Sequence, residues 1–183
     1  MAAAIAVMAA SLLIATLRDH PIVVARGDTP AVGADVAEAA VWHTDAYPVG
    51  ASGELTKKES RRFTHQKERV RATVRDLADA IAVQPGRLPD AVDRLATKVA
   101  AASLLKRAPG MPDDSEAITV VKRTGRIGIQ APRFAAAAAD LHVFMEAMID
   151  DRLVKWRDDY RFWLERADGR WSVIAFDLKR AQR

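Results

Sequence analysis

The sequence predicts an α+β protein, with two amphipathic helices packed on a curved antiparallel sheet that closes in a β-hairpin. Three observations carry this reading. Val154, Trp156, Tyr160, Phe162 and Leu164 alternate with Lys155, Arg157, Asp159, Arg161 and Glu165, the period of a half-buried strand. Asp168-Gly169 follows, a pair suited to a type I′ turn, because both central residues need φ > 0 and glycine carries no Cβ. Two helical patterns precede the strands and supply the cover that an isolated hairpin lacks.

With Asp168 and Gly169 at its tip, the hairpin should set Leu164 against Val173 and Phe162 against Ala175. On the other face Trp163 should meet Ile174 and Arg161 should meet Phe176, with Trp171 opposite Arg166 in reach of a cation–π contact. Burial of each large apolar side chain contributes about 1.5–3 kcal/mol, so this ribbon asks for a covering layer.

From the N-terminus, Ala2 to Leu17 run without a charge. As a helix this is about 24 Å, somewhat short of the roughly 30 Å hydrocarbon core. A single-pass membrane anchor at 1–17 is the favoured reading. A signal peptide fits less well, since no basic segment precedes the apolar run; a buried Ala-rich helix is the third option. Arg18 and Arg26 follow the run, and a positive-inside count alone would leave the bulk of the chain in the cytoplasm. The missing basic segment points to a start further upstream, and the folded domain is expected outside the cytoplasm.

Residues 18–53 read as a stalk, broken by Pro21, Gly27, Pro30, Gly33, Pro48, Gly50 and Gly53, with room for a short helix around Asp35–Trp42. Trp42, His43 and Tyr47 cluster in it. They read either as a docking strip or as rings that pack back and tether the arm, the second being favoured. Thr56-Lys57-Lys58-Glu59 is a capping box that opens the α+β domain, 54–183. The helix behind it carries Phe63, Val70, Val74, Leu77 and Ile81 on one stripe and stops before Pro85-Gly86. Its first half is rich in cations, with Lys57, Lys58, Arg61, Arg62 and Arg69 as candidate contacts to an anionic surface. A solvated face is the plainer explanation, and no interleaved aromatics suit base stacking. A second helix is expected from near Pro89, with Leu88, Val92, Leu95, Val99 and Ala102 at helical spacing, Leu104 and Leu105 extending the apolar surface, and Pro109-Gly110 ending it.

Ile118 to Gln130 reads as strand, with Gly125 or Gly128 marking a bend or bulge. Phe134 to Asp150 fits either period. Strand is chosen for Ala138–Ile149, with Asp150-Asp151 turning into the long strand from Arg152.

The chain has 183 residues, half of them apolar, a net charge of +4 and no cysteine, which removes disulfides, thiol catalysis and Cys-ligated zinc. No nucleotide-binding, zincin or nucleophile-elbow motif occurs, and no catalytic residue, metal ligand set or cofactor is assigned. Asp140 and His142 sit two apart on one strand face, and with Tyr160 they are the candidate lining of a pocket. A strand histidine is more commonly structural, and the Asp113-Asp114, Asp150-Asp151 and Asp158-Asp159 pairs read as solvated turns or exposed strand faces. Trp42, Tyr47, Trp163 and Phe176 are the candidate partner contacts.

The order of two helices, strands and a closing Tyr160-x-Phe-Trp-Leu-Glu-Arg-x-Asp-Gly-Arg-Trp-x-Val hairpin resembles the nuclear-transport-factor-two-like cone over about Thr56–Lys179. With the apolar segment and stalk in front, the layout is similar to membrane-anchored actinobacterial members, such as the Mce-associated proteins of lipid import and the scaffold subunits of conjugative type IV secretion. The resemblance implies a cone-like sheet and a non-enzymatic, single-pass envelope protein that serves as an assembly or accessory subunit of a transport or secretion complex. Its partners would be the protein subunits of that complex and the membrane through residues 2–17, with a homo-oligomer compatible. No catalytic dyad of enzymatic relatives can be placed on this chain. A small-molecule binder or a dehydratase- or isomerase-like enzyme of the same cone is the first alternative. A nucleic-acid module using the basic helix 57–75 is the second.

Overall fold

The computed structural model describes residues 41–51, 53–82, 85–108 and 118–182. The apolar run, the stalk up to residue 40 and the loop expected at Met111–Ser115 lie outside these. Among the described residues the chain is α+β, with helices packed on a five-stranded mixed sheet in the order β1-β2-β3-β4-β5. The strands are β1 (Trp42–Val49), β2 (Ile118–Gln130), β3 (Ala136–Ile149), β4 (Arg152–Ala167) and β5 (Arg170–Gln182). The helices are α1 (Lys57–Ala82), α2 (Leu88–Leu95) and α3 (Lys98–Arg107), with a 3₁₀ turn at Pro85–Arg87.

The locally encoded features form as read. Thr56 N–H donates to Glu59 Oε2 at 2.9 Å and Glu59 N–H to Thr56 Oγ1 at 3.3 Å, closing the capping box. The Thr56 hydroxyl, donating to Glu59 Oε2 at 2.7 Å, and then the Thr56 N–H hold the Glu59 carboxyl below its ordinary range. Asp168 and Gly169 both take positive φ at the β4–β5 turn, as do Asp150 and Asp151 between β3 and β4. The ambiguous segment is strand β3. Val70, Val74, Leu77 and Ile81 of α1 lie buried on Ile127, Leu141, Met145, Tyr160, Phe162 and Leu164 of the sheet.

Four expectations are corrected. First, the sheet is not wholly antiparallel, because β1 pairs parallel to β2 over Trp42–Val49. The end of the stalk is thus a strand, and Trp42 opens it. Pro48 is tolerated there because β1 is an edge strand. Second, the second helix is two helices. Ala96 is extended, and Thr97 caps α3 by accepting from Ala100 N–H. The freed Thr97 N–H donates to the Val173 carbonyl at 2.9 Å, so the break ties the helical layer to β5. Third, no bulge lies at Gly125 or Gly128; the irregularity in β2 lies between Val120 and Lys122. A Cβ at Gly125 would run into the Leu141 side chain and come within 2.8 Å of the Asp140 carbonyl oxygen, so the glycine serves close approach.

The fourth correction is the hairpin register. Leu164 meets Val173 and Arg166 meets Trp171, but a bulge follows. Trp163 pairs with Ala175, Phe162 with Phe176 and Arg161 with Asp177, leaving Ile174 extra. One inserted residue flips every later side chain to the other face. It turns Phe176 and Leu178 onto the core and leaves Ala175 exposed, so more apolar surface is buried than the unbulged pairing allows.

The edge of the sheet is guarded. Arg71 donates to the Thr44 carbonyl, and Arg75 donates to the Trp42 carbonyl at 3.3 Å and to Thr44 Oγ1. These two arginines leave the basic face of α1 and occupy acceptors of β1 that another strand could use. The double substitution Arg71→Ala/Arg75→Ala is expected to cost about 1–3 kcal/mol of stability and to cause concentration-dependent association in light scattering. A monodisperse variant of unchanged stability would show that this edge needs no guard.

Candidate functional site: the two faces of the sheet

The strand register sorts the singled-out residues onto opposite faces. Facing the helices, one rung crosses all five strands as Trp42, Arg123, Val143, Asp158 and Arg180. Asp158 is wholly buried. Its Oδ1 accepts from Arg180 Nε at 2.7 Å, and its Oδ2 from Arg180 Nη2 at 2.7 Å and Tyr160 Oη at 3.1 Å. The Asp158-Asp159 pair is therefore not a solvated strand face: its first member is a core residue. Above this rung, Asp79 of α1 accepts from the Trp42 indole N–H at 3.2 Å and lies 3.4 Å from Arg123. Burial pushes the Asp79 carboxyl above its usual range, with Arg123 opposing. Burial likewise pushes the Tyr160 phenol up, reinforced by the Asp158 charge and hydrogen bond, so Tyr160 is a neutral donor at physiological pH. The hydrogen bond from Arg180 to Asp158 raises the pKa of that guanidinium.

Chemically, this rung is a latch between β4 and β5. Both carboxylate oxygens of Asp158 are taken by protein donors, the geometry of a fixed bidentate pair rather than of a base open to substrate. The neighbouring interior is filled by Tyr160 stacked on Phe162, ring centroids 6.1 Å apart, and by Leu141, Val143 and Met145, each at most 1% exposed.

On the opposite face, charges form a grid. Arg126, Asp140, Arg161 and Asp177 stand in one row; Thr124, His142, Asp159 and Lys179 stand in the next. Arg161 is hydrogen-bonded to Asp140. His142 Nδ1 is 2.6 Å from Asp159 Oδ1, and Arg157 Nη2 donates to Asp159 Oδ2 at 2.8 Å. Burial alone would raise the Asp159 carboxyl; the hydrogen bonds and charges of His142 and Arg157 outweigh it and hold it below its ordinary range. Rings lie among these charges. Arg126 sits 5.4 Å from the Tyr47 ring centroid and Arg157 6.0 Å from that of Phe144. Tyr47, Val49 and Trp163 pack around Ala136 and Ala138. Tyr47 Oη and Trp163 Nε1 are buried without an acceptor among the described residues, and burial pushes the Tyr47 phenol up.

The candidates are thus redistributed. Of the four aromatic partner contacts, Tyr47 and Trp163 converge on the outer face. Trp42 and Phe176 pack on the core instead, Phe176 beneath Arg107 at 5.3 Å. Asp140 and His142 share the outer face, whereas Tyr160 points to the core, so the three do not line one pocket. Lys57, Lys58, Arg61, Arg62 and Arg69 are all exposed on α1. Arg126, Phe144, Arg157 and Arg161 also stand on the outer face, and Asp158, Arg180 and Asp79 gather on the inner one; the sequence singles out neither group as a site. The alternation from Trp156 to Leu164 already put Asp158 at an inward position.

Among the described residues no group of three or more His, Asp or Glu could hold a metal, and no helix is long and apolar enough to cross a membrane. No protein-family model and no curated protein matches the chain.

Proposed function

We propose that this chain is a non-enzymatic assembly subunit, held to the envelope membrane by residues 2–17, whose folded domain docks another protein of a transport or secretion complex through the outer face of its sheet. The carrying observation is the composition of that face. Tyr47, Phe144 and Trp163 stand among Arg126, Arg157 and Arg161, and aromatic residues with arginine are the types that concentrate binding energy at interfaces. The element order in front of a closing hairpin is compatible with the cone-like relatives named above, and the placement outside the cytoplasm belongs to the same proposal.

The competing small-molecule or isomerase-like reading has one observation in its favour, the buried Asp158–Tyr160 pair. The saturation of Asp158 by Arg180 weighs against it.

The test is fractionation of native membranes followed by affinity isolation of the full chain. It should sediment with membranes and bring down a defined protein. The double substitution Tyr47→Ala/Trp163→Ala should weaken that association by about a hundredfold or more, as hot-spot truncation of about 2 kcal/mol each implies. A chain that stays soluble, or a partner retained equally by the variant, would defeat the proposal.

A further inference from the structure

We infer that the domain has a second contact surface, a cationic pole that lies against anionic phospholipid headgroups. In α1, Lys57, Lys58, Arg61, Arg62, His65 and Arg69 fall on one stripe. At 3.6 residues per turn it lies opposite the buried stripe of Val70, Val74 and Leu77. All six are exposed.

Two turns bring further cations to the same end of the molecule. Phe134 of the β2–β3 connection lies 6.4 Å from the Phe63 ring and beneath Arg62 at 5.3 Å; this places the exposed Arg133 beside the stripe. Trp171 donates to Gln66 of α1 at 2.9 Å and carries the exposed Arg170 of the β4–β5 turn with it. The acids of this end are Glu54, Glu59, Glu68, Glu165 and Asp168. Glu59 is engaged in the capping box; Glu68 lies on the stripe but is paired with Lys67 and Arg71, and the other three lie off it. Three separate elements therefore add cations to one pole.

Lipid is the occupant favoured by two features. No Phe, Tyr or Trp side chain stands in the stripe to stack on bases. The chain also carries the apolar run Ala2–Leu17, and this inference rests on its reading as an anchor only for the domain's nearness to a bilayer. Residues 18–41 can span at most about 80 Å, against about 39 Å for the length of α1. A tether of that reach lets the stripe meet the surface even though β1 enters the fold at the far end of the sheet.

The test uses the absence of cysteine. His65→Cys places a single spin label in the middle of the stripe of the full chain, reconstituted in phosphatidylcholine vesicles with or without about a third phosphatidylglycerol. Each cation near such a surface is worth about 1 kcal/mol, or about fivefold in partitioning. The label should contact headgroups in the anionic vesicles and not in the neutral ones, and the contact should vanish at high salt. Lys57→Gln/Lys58→Gln/Arg61→Gln should reduce it on the order of a hundredfold. Lys98→Gln/Lys106→Gln/Arg152→Gln, an equal charge change at other exposed sites, should leave it intact.

Equal contact in both lipids, equal loss in the two triple variants, or tighter salt-sensitive retention on duplex DNA would overturn the inference. Failure of the anchor reading is seen separately, as a chain that does not enter neutral vesicles. The salt-sensitive contact with anionic vesicles would still be expected then.

Discussion

Asp158→Ala is expected to cost about 3–5 kcal/mol of folding stability, because it removes the acceptor of three hydrogen bonds, two of them charge-assisted, at a wholly buried position. Arg180 directs both Nε and Nη2 at the lost carboxylate, and the Tyr160 hydroxyl loses its acceptor as well. The same pair replaced together by apolar residues, as in Asp158→Leu/Arg180→Met, should cost far less than the sum of the single changes. A well-packed apolar substitute avoids the desolvation of two charges, and contacting residues couple strongly. Denaturant unfolding of the two single variants and the double variant measures this. Additive losses would show that the two groups do not depend on each other and that the latch between β4 and β5 is incidental.

Phe162→Ala should be as damaging by a different mechanism. Phe162 is fully buried, stacked on Tyr160 and opposite Phe176. Truncating a buried phenylalanine removes transfer energy and leaves a cavity, about 3–5 kcal/mol in all. In a chain of this size that lowers the melting temperature by about 10–15 °C. Phe144→Ala is the internal control. It removes the same side chain from the outer face of the adjacent strand, and it should cost within about 1 kcal/mol. Similar losses from both would mean that both faces of the sheet are core, which would leave no free surface for a partner.

These two variants also show what could be read in advance. Phe162 at an inward position followed from alternation alone. The Asp-Gly turn and the Thr56–Glu59 box were equally legible, since a turn or a cap is written in a few adjacent residues. The partner of Asp158 was not. Counting back from the Asp168-Gly169 turn without a bulge sets Lys179 opposite Asp158; the extra Ile174 moves Arg180 there instead. A bulge of this kind carries no local marker. It is selected by what the whole sheet gains from turning Phe176 and Leu178 inward. Strand β1 escaped notice because glycine and proline around it outweighed the alternation of Trp42, Thr44 and Ala46 against His43, Asp45 and Tyr47. Its pairing with β2 is parallel and distant in sequence. The break at Thr97 had a sequence signal, a threonine able to cap, that lost to the apolar spacing running through it. Of the candidate contacts, Tyr47 and Trp163 meet on one face only because β1, β2, β3 and β4 stand in register. No spacing within one segment could reveal that.

The central claim is that the face of the sheet away from the helices is where this protein meets its partner. Photocrosslinking residues placed one at a time at positions 144, 163 and 105 of the full chain in native membranes address it directly. Leu105 is 49% exposed on α3 and serves as the helix-side reference. The account predicts one discrete protein adduct from 144 and 163, and none of that size from 105. An adduct from 105 with none from the two sheet positions would contradict it.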